Sequence, residues 1–136
     1  MANYRLNTDT AIYDTLNVQA LVALAPGGVF NTLAPQTAPL PYVLFQMVSK
    51  NDDHTFNGRF AEGVYIVKGV SESPWPKAAA DIDTQIDTLL EDASLTIAGF
   101  NPILCRRESD FTLVEERDGR MFQHVGGLYR VIADQT

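Results

Sequence analysis

Cysteine is almost missing from this chain: Cys105 stands alone among 136 residues, so no disulfide can form within it. Its fold must rest on packing, or on association with further copies of itself, and a cytoplasmic setting is the simplest reading. Long hydrophobic runs are missing too. No stretch approaches the roughly 20 apolar residues that a membrane-spanning helix needs, so no membrane partner is expected. The first residues, Met1-Ala2-Asn3-Tyr4-Arg5, lack the basic-then-apolar layout of a secretory signal. Positive charge is scarce, with 10 Lys and Arg against 17 Asp and Glu and a formal net charge of −7. A protein that grips nucleic acid by its phosphates carries a positive footprint, so that class is excluded. A protein past which nucleic acid slides without adhering is not.

Catalytic groupings are equally sparse. The only two histidines, His54 and His124, fall in different elements, and no Gly-x-Ser-x-Gly elbow accompanies them. Cys105 lies in an apolar strand, where a free thiol behaves as a small hydrophobe, and Arg106 and Arg107 are expected to point away from it. Asp81, Asp83 and Asp87 resemble a metal cluster only superficially. Asp83 and Asp87 share a helix face that Asp81 leaves, and no calcium-type glycine turn is present, so a solvated acidic face is the expectation. Gly27-Gly28 lacks the lysine and helix of a phosphate loop. The expectation is therefore no catalytic residue, no cofactor and no metal. Hydrophobic residues make up 46% and charged residues 20%, enough apolar content for 1–136 to bury the core of one domain.

What is present is an α+β pattern. Asn7-Thr8-Asp9-Thr10 offers helix-capping chemistry, and Ile12, Leu16, Leu21, Val22 and Leu24 recur at helical spacing. The spacing predicts one bent helix or two short ones over 9–24, stopped by Pro26-Gly27-Gly28. Pro35, Pro39 and Pro41 then stud a loop, and since proline cannot donate to a sheet ladder, a strand begins where they end, over 41–50. A second strand covers 61–70. Pro76 suits a first helical turn, and Ala78, Ala79, Ile82, Ile86, Leu89, Leu90 and Ala93 form a helical stripe over 76–92. Leu95-Thr96-Ile97 reads as a short strand and 98–101 as a turn. Strands at 103–108, 111–117 and 120–133 follow, the last two joined at Asp118-Gly119, with Gly126-Gly127 suggesting a bulge. The fold expected is a mainly antiparallel, mixed β-sheet packed against one long amphipathic helix plus an N-terminal helical segment. Its core should hold Leu16, Leu21, Val43, Phe45, Val64, Ile66, Ile82, Ile86, Leu89, Val114 and Ile132.

Two places stand out as candidate assembly surfaces. One is the tip of the first hairpin, Phe56, Asn57, Gly58, Arg59 and Phe60. Asn57-Gly58 is a strong type I′ turn signal, but a two-residue hairpin there sets Asp53 against Glu62, and like charges facing one another destabilise. Two phenylalanines beside a polar turn suggest a contact that forms with a neighbour. The other is Trp75, between Pro74 and Pro76. It either staples the helix start onto the sheet or stands exposed as an interface anchor.

The order of these pieces resembles the tail completion, or tail terminator, family of long-tailed bacteriophages. Ile12-Tyr13-Asp14-Thr15-Leu16 and Ala20-Leu21-Val22 match the opening helix pair. Gly28-Val29-Phe30, Ala34-Pro35 and Pro41-Tyr42-Val43 follow, then a polar insertion, a strand at 64–70, an amphipathic helix, Leu95-Thr96-Ile97-Ala98-Gly99, an arginine-bearing strand and the Asp118-Gly119 hairpin. The resemblance covers nearly the whole chain. It implies a structural virion protein of the neck, assembled in the host cytoplasm, that forms a homo-oligomeric ring, typically a hexamer. The ring stops growth of the tail tube protein and docks to the head–tail connector or stopper protein, with genomic DNA passing through unbound. From the residues alone two other readings stay open: another neck protein such as an adaptor or stopper, or a small α+β ligand-binding or regulatory domain.

Overall fold

The computed structural model describes residues 3–55 and 58–135, and the side chains of these except 52–55, 58 and 59. Helix α1 spans Tyr4–Leu16, beginning before the expected start at residue 9. Its N-cap is Asn3, not the Asn7–Thr10 cluster. The Asn3 side chain accepts the Leu6 N–H at 2.9 Å and so satisfies one of the donors that every helix start leaves open. Tyr4, Thr8, Ala11, Ile12 and Leu16 form the buried stripe. Asn17 ends the helix, and α2 (Gln19–Val22) follows, so the helical segment is two helices broken at Asn17-Val18.

Strand β1 (Val29–Asn31), unforeseen because three residues show no periodicity, pairs parallel with the start of β2 (Tyr42–Thr55). Strand β3 (Gly58–Glu72) returns antiparallel to β2. Helix α3 (Lys77–Leu90) crosses the sheet, with Pro76 at its N-cap position. Strands β4 (Phe100–Arg117) and β5 (Arg120–Gln135) form the last hairpin. The five strands lie in the order β1-β2-β3-β5-β4, so the expected mixed, mainly antiparallel sheet is found.

Several boundaries differ from expectation. Segment 51–55 is strand rather than loop, and Gly58 is the first residue of β3, paired with Thr55. With Thr55 opposite Gly58, Asp53 pairs with Phe60 and Glu62 with Asn51, so the anticipated Asp53–Glu62 clash does not arise; a bulge at Val48 shifts the register farther along the hairpin. Leu95 and Ile97 are buried, but in irregular chain rather than a strand. The strands expected at 103–108 and 111–117 are one continuous β4, bent by two bulges, between Pro102 and Leu104 and between Arg107 and Ser109. Gly126-Gly127 carries no bulge: β5 runs through it in register. The turn at Asp118-Gly119 is as expected, with φ of 52° and 75°.

The core lies between the sheet and helices α1, α2 and α3. Leu16, Leu21, Val43, Phe45, Ile82 and Ile86 are buried as expected, and Leu89 packs at the margin. Val64, Ile66 and Ile132 do not join them. Tyr65, Val67, Val131 and Ala133 face the helices instead, which turns the expected residues onto the opposite face of the sheet. Val114, placed in the core by its strand pattern, is 57% exposed because α3 does not reach that end of β4. The helix sits tightly where it does reach: a Cβ on Gly69 would lie 2.6 Å from the Ile82 side chain.

Candidate assembly surfaces

The helix side of the sheet is closed by polar bonds as well as by packing. Arg107 rises from β4 toward α3, and its guanidinium grips both oxygens of Asp83 at 2.8 and 3.0 Å. It also donates to the Tyr129 hydroxyl at 3.2 Å and the Gly126 carbonyl at 2.8 Å. Tyr129 in turn donates to Asp87 at 2.9 Å. Glycine at 127 makes room for this: a Cβ there would lie 2.6 Å from Arg107 Nε. The Asp83 contact holds the guanidinium firmly protonated. On the neighbouring strand, buried Tyr65, the cross-strand partner of Tyr129, donates to Asp9 of α1, and Tyr4 donates to the Val131 carbonyl at 2.8 Å. The acidic face expected of α3 is thus partly a docking device, with Asp83 and Asp87 tying the helix to the sheet. The chain pattern hid this because Arg107 and Asp83 are far apart in sequence.

Among the described residues no helix lies over the opposite face of the sheet. Leu44, Val64, Ile66, Leu128, Ile132 and Leu104 lie on it half-buried by their neighbours. Arg130 stands among them, paired with Glu62 and Glu108. Toward the last hairpin, His124 is buried and its Nε2 lies 3.1 Å from Glu115 Oε1. Burial and nearby Lys68 keep the imidazole below its ordinary range, so the neutral ring is favoured. Cys105, on the helix side, is buried and its thiol is pushed up to about 12, chiefly by burial and then by Glu91 and Asp92, which leaves it unreactive. Among the described residues no group of three or more metal-ligating side chains comes together. No helix of the described residues is long and apolar enough to cross a membrane.

Of the candidate assembly residues, Phe56 and Asn57 lie outside the described residues. Gly58 and Arg59 open β3, and Phe60 is half-buried on the open face of the sheet, opposite Asp53 and Asp134. Trp75 is 75% exposed, so it does not staple α3 to the sheet. Its backbone is tied to the sheet through Ser73. The Trp75 backbone N–H donates to Ser73 Oγ at 3.1 Å, Ser73 N–H donates to the Met121 carbonyl at 3.0 Å, and the Gln123 side chain donates to the Ser73 carbonyl at 3.2 Å. Trp75 belongs to the end of the sheet where β3 finishes, and Gly58, Arg59 and Phe60 to the end where it begins; the structure does not bring them together. Near the Trp75 end, an open cleft of about 670 Å³ runs between the 33–40 loop and the last hairpin, with Phe122 in its wall and Arg117 and Arg120 each over the Phe122 ring.

Comparison with known proteins gives three findings. Residues 10–128 match the family model described as "Tail completion protein gp17". A chain in a solved structure titled "Virion of native gene transfer agent (GTA) particle" superposes with a TM-score of 0.77 at 15% identity, covering 98% of this chain and 99% of that one. A second solved structure superposes with a TM-score of 0.60 at 14% identity, covering 99% and 97%. At such identities the two superpositions show a shared fold. No curated protein matches by sequence.

Proposed function

Since the chain belongs to the tail completion protein family, structural proteins of the phage virion tail, we propose that it closes the head-proximal end of the tail tube as a homo-oligomeric ring. Six copies cap the last layer of tube protein, end its growth and present a surface to the connector or stopper beneath the head. Genomic DNA passes through the ring without specific binding. The observation that carries this reading is the family match over 10–128. Three features of the molecule support it. On the face of the sheet away from the helices Val64, Ile66, Leu128 and Ile132 stay only half-buried, which suits a subunit completed by its neighbours. Trp75 is exposed, as an interface anchor would be, and its backbone is bonded to Ser73. The net charge of −7 suits a wall that does not hold DNA.

In this reading the 56–60 tip and Trp75 are contact sites, with the adjacent subunit or the tube as their partners. The test adds purified protein to tail tubes that are still elongating. Native mass spectrometry should find a closed ring bound at the tube end, and elongation should stop. Tubes that lengthen unchanged while the protein stays monomeric overturn the reading. The variant carrying Phe56→Ser and Phe60→Ser should fold yet fail to enter tails, and the isolated protein should not retard duplex DNA at physiological salt. Normal infectious particles from the variant would reduce the tip to a surface loop, and salt-sensitive DNA retardation would overturn the passive channel.

A further inference from the structure

The outer edge of β4 is treated in two different ways along its length. Over its first half the chain covers its own edge. Phe100 N–H donates to the Ile97 carbonyl at 3.0 Å, Asp92 N–H donates to the Cys105 carbonyl at 2.9 Å, and Arg107 N–H donates to Glu91 Oε2 at 2.8 Å. Pro102 and two bulges interrupt the same stretch. Proline, bulges and covering chain are the devices by which sheets protect an edge from pairing with another chain. After the bulge at Glu108 they all stop. From Ser109 to Arg117 β4 runs regularly, and the sheet has no strand beyond it.

The pairing fixes which backbone groups face outward there. Arg117 and Arg120 close a two-residue hairpin, so alternate residues from Arg117 back to Ser109 bond to β5. Asp110, Thr112, Val114 and Glu116 therefore turn N–H and C=O away from the sheet. The side chains do not shield them: Leu113 on one face is 47% exposed and Val114 on the other 57%. A regular, uncovered edge with apolar side chains on both faces is a template for strand addition.

We propose that this edge, Ser109–Arg117, pairs with the outer edge of β2 beyond its bulge at Val48, from Ser49 to Thr55, of a second copy of the chain. The inference rests on the ring reading above. A ring needs a head-to-tail contact, made by two different surfaces on one chain. The sheet supplies such a pair on its two sides. β1 pairs with β2 only as far as Phe45, and beyond it the outer edge of β2 has no neighbouring strand among the described residues. The two edges are nearly equal in length. Their directions also agree. Each neighbouring pair from β2 through β3 and β5 to β4 is antiparallel, so β2 and β4 run oppositely. Rotation about a ring axis lying along the strands keeps strand direction, so the next copy's β2 arrives antiparallel to this β4. Each contact then extends one sheet into the next.

Hydrogen exchange of the ring against the monomer tests this. Amides of Asp110, Thr112, Val114 and Glu116 should slow at least about tenfold on ring formation. Val114→Pro removes an outward N–H from an exposed position and should leave the monomer folded by circular dichroism while abolishing rings on tube ends. A ring whose 109–117 amides exchange as in the monomer overturns the proposal and leaves the ring reading standing, as does a Val114→Pro protein that still forms rings. Protection of these amides together with cross-links from Leu113→Cys to the tube protein, rather than to 49–55 of another copy, overturns the choice of occupant. A wild-type chain that makes no ring on tubes overturns both.

Discussion

The two faces of the sheet are made from similar residues and used in opposite ways. On the helix side Tyr65, Val67, Tyr129 and Val131 are sealed under α1 and α3, and the tyrosine hydroxyls reach Asp9, Asp87 and Arg107. On the other side Val64, Ile66, Leu128 and Ile132 are hardly less apolar, yet they stay half-buried, with no helix of the described residues over them. What separates the faces is the polar tip of tyrosine, which lets one face bind a helical layer by hydrogen bonds as well as by area. The open face has apolar area without such ties to a covering layer, which fits a surface completed by another chain.

The comparison breaks most visibly under truncation. Ile86→Ala, in the sealed layer, should lower stability by about 2–5 kcal/mol in chemical denaturation, the range for large-to-small changes at buried sites. Ile66→Ala, on the open face, should lose clearly less as a monomer, because its side chain already keeps part of its contact with water. Equal losses would mean that the open face is as well packed as the other.

The ion pairs give the second contrast. Arg107 is 15% exposed and Asp83 16%, and losing the Asp83 charge still leaves Arg107 beside Asp110 at 2.9 Å and Asp87 at 3.7 Å. Asp83→Asn should therefore cost about 1.5–3 kcal/mol, the range for a hydrogen bond to a charged group rather than for a stranded buried charge. On the open face Arg130 and Glu62 are each 31% exposed, and Arg130→Gln should change monomer stability by less than about 1 kcal/mol. Thermal melts of both variants decide whether the helix-side network is the stronger.

These contrasts also mark how far the chain can be read without its structure. The stripe Ile82, Ile86, Leu90 and the Asp118-Gly119 turn were legible because each depends on residues close in sequence. The α+β class and the order of the main elements followed. The face of β3 was not legible. Gly63-Val64-Tyr65-Ile66-Val67 is apolar at nearly every position, so alternation cannot say which side meets the helices. The long-range partners decided it: Asp9 for Tyr65, and Asp87 with Arg107 for Tyr129. β1 was too short to show a period, and the bulges of β4 made one strand look like two. Of the candidate surfaces, Trp75 carried a local signal, proline on both sides. The uncovered edge at 109–117 carried none, because an edge is defined by strands that are not there.

A smaller effect should appear with pH. His124 is buried on the open side and held below its ordinary range by burial, then by Lys68, against the pull of Glu115. The fold thus prefers the neutral ring. Its contribution is fully present above about pH 6.5, the value in an unfolded chain, and is lost as pH falls below that toward the folded value, since the unfolded chain then binds the proton more readily. Denaturation midpoints should fall over this window, and His124→Gln should flatten the dependence. An unchanged slope in the variant would assign it to other groups.

The central claim, that this chain is the closing ring of a tail tube, is tested most directly by imaging whole tails at the end that meets the head. The account predicts a closed ring of this protein on the last layer of tube subunits, its strands joined edge to edge between copies around an open channel. Particles in which the protein is absent from that end, or sits there as separate single copies, would contradict it.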